Sequence, residues 1–146
     1  MTRTRILIAD DHEIFRKGLR SLVESAPGWE VCGEAANGAE AVELAWRLAP
    51  DVIVMDIGMP YVNGLEATKQ IRKQLPHIRV LILSQHDSSR MLTAAMEAGA
   101  SAYVTKAQAA HHLLVALEHV VAGRSFPSTD TERLNPTKPD DPKGAD

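Results

Sequence analysis

The sequence predicts a doubly wound α/β domain, with one parallel sheet covered by helices on both faces. Three observations predict it. Short apolar runs rich in Val and Ile alternate with longer amphipathic stretches. The runs are continuously apolar, as buried parallel strands require, and do not alternate as half-exposed antiparallel strands do. The length, 146 residues, is that of one ordinary domain with a core of its own.

The elements follow in order. The first strand is Ile6 to Ala9, ending in Asp10-Asp11. The first helix has an apolar face of Ile14, Phe15, Leu19, Leu22 and Val23. A weaker second strand lies around Val31 and includes the lone Cys32, read as a small buried residue. Asn37-Gly38 opens a second helix faced by Val42, Leu44, Ala45 and Leu48. Trp29 and Trp46 flank this strand and helix and are expected to pack there. The third strand, Val52 to Met55, ends in Asp56. The third helix carries Leu65, Thr68, Ile71 and Leu75 and stops at Pro76. The fourth strand, Val80 to Leu83, ends in Ser84. The fourth helix shows Met91, Leu92, Ala95 and Met96, with Gly99 placed as a helix terminator. The fifth strand, Ala102 to Val104, is followed closely by Lys106. The fifth helix shows Leu113, Leu114, Leu117, Val120 and Val121, then Gly123. From Pro127 the chain becomes rich in Pro, Asp and Lys without an apolar face. Residues 1–126 are therefore expected to form the domain. Residues 127–146 are expected to be a disordered tail or a truncated linker.

Composition narrows the function. The formal net charge is −3, which argues against general nucleic-acid or anionic-membrane binding. One cysteine allows neither an internal disulfide nor a thiolate metal cluster. No apolar run approaches a signal-peptide core or a membrane span, so a cytoplasmic protein is expected. His111, His112 and His119 share one helix without an evident third ligand and are read as solvated.

The polar strand ends carry the chemistry. In an open parallel sheet, ligands bind beyond the carboxyl ends of the strands. Asp10, Asp11, Asp56, Ser84 and Lys106 would meet there. Three carboxylates held close repel unless a cation joins them, and oxygen-only ligands favour a hard ion such as Mg²⁺. Lys106 and the Ser84 hydroxyl add a second cation and a donor. The set is a receptacle for a phosphoryl group, with a carboxylate available as nucleophile.

Asp10-Asp11, the run from Asp51 to Pro60 around Asp56, Asn63-Gly64, Ser84 and the run from Ala98 to Lys106 closely resemble two-component response-regulator receiver (CheY-like) domains. Ser84-Gln85-His86-Asp87, the absence of proline after Lys106 and the ending Val120 to Phe126 resemble the NarL/FixJ-type branch. The resemblance implies a five-stranded sheet of order 2-1-3-4-5 with five helices. It implies Asp56 as phosphoacceptor, with Mg²⁺ held by Asp10, Asp11, Asp56 and the Gly58 backbone carbonyl. Ser84 and Lys106 would bind the phosphoryl group, and Ser84 and Tyr103 would form the switch. Gly58 and His86 hold positions that modulate phosphate lifetime, and the bulky Gln85 predicts narrower donor access. The implied partner is a sensor histidine kinase or a histidine phosphotransfer protein. Output, or homodimerisation, would use the fourth helix, fifth strand and fifth helix, or neighbouring helices. The only chemistry expected is Mg²⁺-dependent self-phosphorylation and self-dephosphorylation, not turnover of a separate substrate.

The sequence shows no helix-turn-helix domain of the kind this branch usually carries, so direct DNA binding is not expected from these residues. A receiver whose output domain is missing, and a phosphate-independent pseudo-receiver, remain as alternatives. A flavin-phosphate site would need a Gly/Ser/Thr-rich first loop, whereas Asp10-Asp11-His12-Glu13 would repel the phosphate.

Overall fold

A computed structural model describes residues 3–59, 62–85 and 87–126. Five strands, β1 (Thr4–Ala9), β2 (Trp29–Ala35), β3 (Val52–Asp56), β4 (Arg79–Ser84) and β5 (Ala102–Thr105), alternate with five helices. The helices are α1 (Glu13–Glu24), α2 (Gly38–Leu48), α3 (Gly64–Gln74), α4 (Ser89–Glu97) and α5 (Ala109–Val121). A 3₁₀ turn, Lys106–Gln108, joins β5 to α5. All neighbouring strands pair in parallel, in the order β2-β1-β3-β4-β5.

Strand periodicity divides the core between the two faces of the sheet. Ile6, Ile8, Val52, Val54, Leu81, Leu83 and Val104 point towards α1 and α5, where they meet Leu19, Val23, Leu113 and Leu117. Leu7, Ala9, Ile53, Met55, Val80, Ile82 and Tyr103 point the other way, towards Ala41, Ala67, Ile71 and Ala95 of α2, α3 and α4. Both faces are covered, so side chains of either parity are buried and the strands read as continuous apolar runs.

The helix ends are chemically specified. Asn37 Oδ1 accepts from Glu40 N at 2.8 Å, and Asn63 Oδ1 accepts from Glu66 N at 2.9 Å. Gly99 and Gly123 follow α4 and α5 with φ of 104° and 84°, a conformation that glycine adopts without steric cost.

Four packing expectations need correction. Ile14 is 88% exposed. At 3.6 residues per turn it lies roughly 120° from the centre of the face formed by Phe15, Leu19, Leu22 and Val23. Val121 turns away from the α5 face in the same way and is 44% exposed. Trp46 is 56% exposed, and its indole N–H donates to Gln74 Oε1 at 3.2 Å. Cys32 is half-buried because β2 bulges there: Ile6 pairs with Val31 and Leu7 with Gly33, leaving Cys32 as the extra residue. His112 and His119 are also less solvated than expected. Their rings lie edge-on to Phe126, with centroids at 6.2 and 5.5 Å.

The expected tail, 127–146, lies outside the described residues. Among the described residues no helix is long and apolar enough to cross a membrane.

Candidate functional site

The site is built at the carboxyl ends of β1, β3, β4 and β5. Asp10 leaves β1 with its amide donating to Ala35 O at 2.9 Å, and it is fully buried. Asp56 is the last residue of β3 and is also buried. The backbone beyond it is pinned by Ile57 N to Leu83 O and by Gly64 N to Ile57 O, both 3.0 Å. Gly64 stands against this loop so closely that a Cβ there would lie 2.2 Å from the Asp56 carbonyl oxygen. No side chain fits, which is the physical reason for glycine eight residues after the acid.

Lys106 enters from the end of β5. Its Nζ is 2.9 Å from Asp10 Oδ2 and 3.3 Å from Asp56 Oδ2, and it sits 4.7 Å from the centre of the Phe15 ring. Asp56 Oδ1 accepts from the Gly58 amide at 3.2 Å. Asp11 is the more open acid. His12 Nδ1 lies 3.2 Å from Asp11 Oδ1 and 3.3 Å from Asp10 Oδ1. Ser84 is buried at the end of β4, where Asp56 pairs with Leu83 and Ser84 with Thr105.

The electrostatics are unbalanced. Burial, and then the charge of Asp10, push the Asp56 carboxyl above the ordinary range, against the Gly58 amide and Lys106, which pull it down. Asp10 Oδ2 and Asp56 Oδ2 are both buried, and the Lys106 ammonium meets the two of them at 2.9 and 3.3 Å. Two buried carboxylate oxygens facing one ammonium leave the pocket short of positive charge. Asp10, Asp11, His12 and Asp56 each offer a ligand atom, all within 4.8 Å of one another. The donor set therefore fits a divalent ion.

A family model described as the response regulator receiver domain matches residues 6–118. This chain belongs to that family. Among curated relatives, the receiver is 40% identical over 124 residues to the transcriptional regulatory protein DegU of Brevibacillus brevis, covering 85% of this chain and 52% of the relative. It is 34% identical over 125 residues to the response regulator UvrY of Escherichia coli K12, covering 86% and 57%. The chain thus spans about half the length of these curated relatives. Among solved structures, a LuxR-family two-component response regulator from Aurantimonas sp. SI85-9A1 superposes with a TM-score of 0.84 at 42% identity, covering 90% of this chain and 94% of that one. The signal receiver domain of the putative response regulator NarL from Mycobacterium tuberculosis gives 0.81 at 30% identity, covering 85% and 100%. The fold class, strand order and family expected from sequence are all found, and the acidic pocket is that of a receiver of two-component response regulators.

The receiver brings Asp10, Asp11, Asp56 and Lys106 together and places Gly58 and Ser84 at the same edge. Tyr103 is set apart. It is buried in β5 and borders a groove of about 410 Å³ shared with Ser88, Leu92, Gln108, His112 and Phe126. Gln85, which follows Ser84, is exposed, and His86 lies outside the described residues. Sequence reasoning missed two contributors. His12 was visible only as the neighbour of two aspartates. Arg16 donates to the Asp10 carbonyl at 2.7 Å through a side chain that no motif marks.

Proposed function

We propose that the receiver takes a phosphoryl group onto Asp56 in a Mg²⁺-dependent reaction. The observation that carries this is the Lys106 ammonium bridging two buried carboxylate oxygens, at 2.9 and 3.3 Å, beside the more open Asp11. Asp56 is the nucleophile: a carboxylate oxygen forms the new P–O bond. The donor's P–N or P–O bond breaks, and its electron pair leaves with the donor atom, which takes a proton from water. Lys106 shifts part of its charge from the carboxylates to the incoming phosphoryl oxygens. Asp10, Asp11, Asp56 and the Gly58 carbonyl would hold Mg²⁺, which neutralises charge on the transferred group. Asp56 then acts only on itself, and the receiver is a switch and not an enzyme with a turning-over substrate.

Ser84, beside the acceptor, would bind the phosphoryl group and draw Tyr103 inward, changing the α4–β5–α5 face. Gly58 and His86 would tune the lifetime of the phosphate. The donor would be a sensor histidine kinase or a histidine phosphotransfer protein in the cytoplasm. Output would be by protein contact, homodimerisation included. A second reading is favoured by the length of the relatives: the receiver would then control a DNA-binding partner domain in a longer regulator.

Intact-protein mass after incubation with acetyl phosphate and Mg²⁺ tests the central step. One phosphate adduct is expected in the wild type, lost with EDTA and in Asp56→Asn. No adduct, together with no Mg²⁺ binding, would make the domain a phosphate-independent interaction module.

A further inference from the structure

Asp10 and Asp11 share one peptide plane, and its orientation sets the angle between their side chains. The turn that carries them is held at several points. The Asp10 amide donates to Ala35 O at 2.9 Å, and the His12 amide donates to Asp10 Oδ1 at 2.8 Å. The carbonyl of the shared plane, Asp10 O, accepts from Arg16 Nη1 at 2.7 Å. Arg16 lies in the first turn of α1, where its own amide donates to His12 O at 2.9 Å. Its side chain is only 14% exposed and folds back over the β1–α1 turn. The other edge of the guanidinium, at Nε, donates to Glu34 Oε1 at 2.7 Å, and Arg20 Nη1 fixes Glu34 Oε2 at 2.7 Å. A chain of short bonds thus ties β2 to the peptide between the two acids, with Arg16 as the link.

We propose that Arg16 is a positioning residue for the metal-binding turn: gripped by Glu34, its guanidinium fixes the peptide between Asp10 and Asp11, so that both carboxylates are aimed at one ion before it arrives. An ion pair with Glu34 alone would fasten α1 to β2 and would need only one edge of the guanidinium. The second edge is spent on the backbone of the acidic turn. Its charge is met by Glu34, so Arg16 orients the two acids without competing with an ion for them. Ligands ordered in advance lose less freedom when the ion binds, and that saving appears as affinity. A lysine cannot take this place, because one ammonium does not present two edges of a rigid plane. The inference rests on the proposed Mg²⁺ site for its consequence. It adds a residue that touches neither the ion nor the phosphoryl group.

Two measurements test it on the full chain. Calorimetric titration with Mg²⁺ compares wild type, Arg16→Gln and Arg16→Lys, with Asn37→Ala as a control that loses stability far from the turn. Folding of each is checked by circular dichroism. Both Arg16 variants should bind Mg²⁺ about tenfold more weakly, and Asn37→Ala should bind it as wild type does. Acetyl phosphate labelling should slow in the Arg16 variants at limiting Mg²⁺ and recover to within about twofold of wild type at saturating Mg²⁺, because Arg16 meets no reacting atom. Amide hydrogen exchange in EDTA then reads the turn without any ion. The His12 amide should exchange at least about fivefold faster in the Arg16 variants, with the Ile8 amide of β1 unchanged. Wild-type Mg²⁺ affinity in both variants, or its full return in Arg16→Lys, would overturn the inference and leave the phosphoacceptor reading intact. Weakened Mg²⁺ binding in the variants of a protein that forms no adduct would support the inference while removing that reading. A wild type that binds no Mg²⁺ would end both.

Discussion

Two charged clusters lie within one side chain's reach of each other, and their charge ratios are opposite. In the pocket, Asp10, Asp11 and Asp56 face the single ammonium of Lys106. At the α1–β2 contact, the single carboxylate of Glu34 faces Arg16 and Arg20 at 2.7 Å and Lys17 at 3.3 Å. Burial alone would raise the Glu34 carboxyl, but hydrogen bonds from Arg16, Arg20 and Lys17 outweigh it and hold the group down at about 2. Asp56 goes the other way, raised by burial and by Asp10. Arg16 touches both regions, pairing with Glu34 and donating to the Asp10 carbonyl. One cluster is already satisfied and holds the fold, while the other is held in an unsatisfied state by the fold. Paired acids close together are a sign of structure when cations outnumber them. They are a sign of ligand binding when they outnumber the cations.

The comparison can be broken at Glu34 first. Glu34→Gln should destabilise the domain by about 2–3 kcal/mol in urea unfolding, because three cations lose their shared partner. The pH profile sharpens the point. The depressed Glu34 value contributes stability that is present above the ordinary carboxyl pKa of 4.5 and is lost as pH falls towards about 2. Acid titration of stability should therefore be shallower in Glu34→Gln than in wild type.

The pocket should respond with the opposite sign. The raised Asp56 value contributes stability only below the ordinary carboxyl range, and that contribution disappears as pH rises through the raised value. In EDTA near neutral pH, Asp56→Asn should stabilise the domain by about 1–2 kcal/mol in thermal unfolding. Saturating Mg²⁺ should erase or reverse the difference, because only the wild type gains the ion. The smallest expected effect is a control. Asn37→Ala removes the α2 cap and should cost about 1 kcal/mol with no dependence on Mg²⁺.

The sequence revealed these two regions unequally. The pocket was legible because each acid ends a continuously apolar strand, and such strands in a parallel sheet deliver their ends to one edge. Asp56 and Ser84 were located as strand ends before any tertiary contact was known. The Glu34 network was not legible. Arg16, Lys17 and Arg20 look like an ordinary solvated helix face, and their partner lies on a strand 14 to 18 residues away. Ile14, Trp46 and Val121 were misplaced for a related reason. A helix has an apolar face only roughly 100° or more wide, and composition alone does not show where its edge falls. The bulge at Cys32 was hidden because β2, at the edge of the sheet, carries the charged Glu30 and Glu34 and shows too weak an alternation to reveal one extra residue.

Lys106 is the first residue of the 3₁₀ turn that runs straight into α5. No loop separates the ammonium that touches both aspartates from the helix that packs Leu113, Leu117 and Val120 onto the sheet. The side chain is flexible but its anchor has no slack. Whatever draws the ammonium beyond the reach of its own rotamers must move the root of α5 with it. The two carboxylates thus hold one end of a short lever whose other arm is thirteen residues of helix.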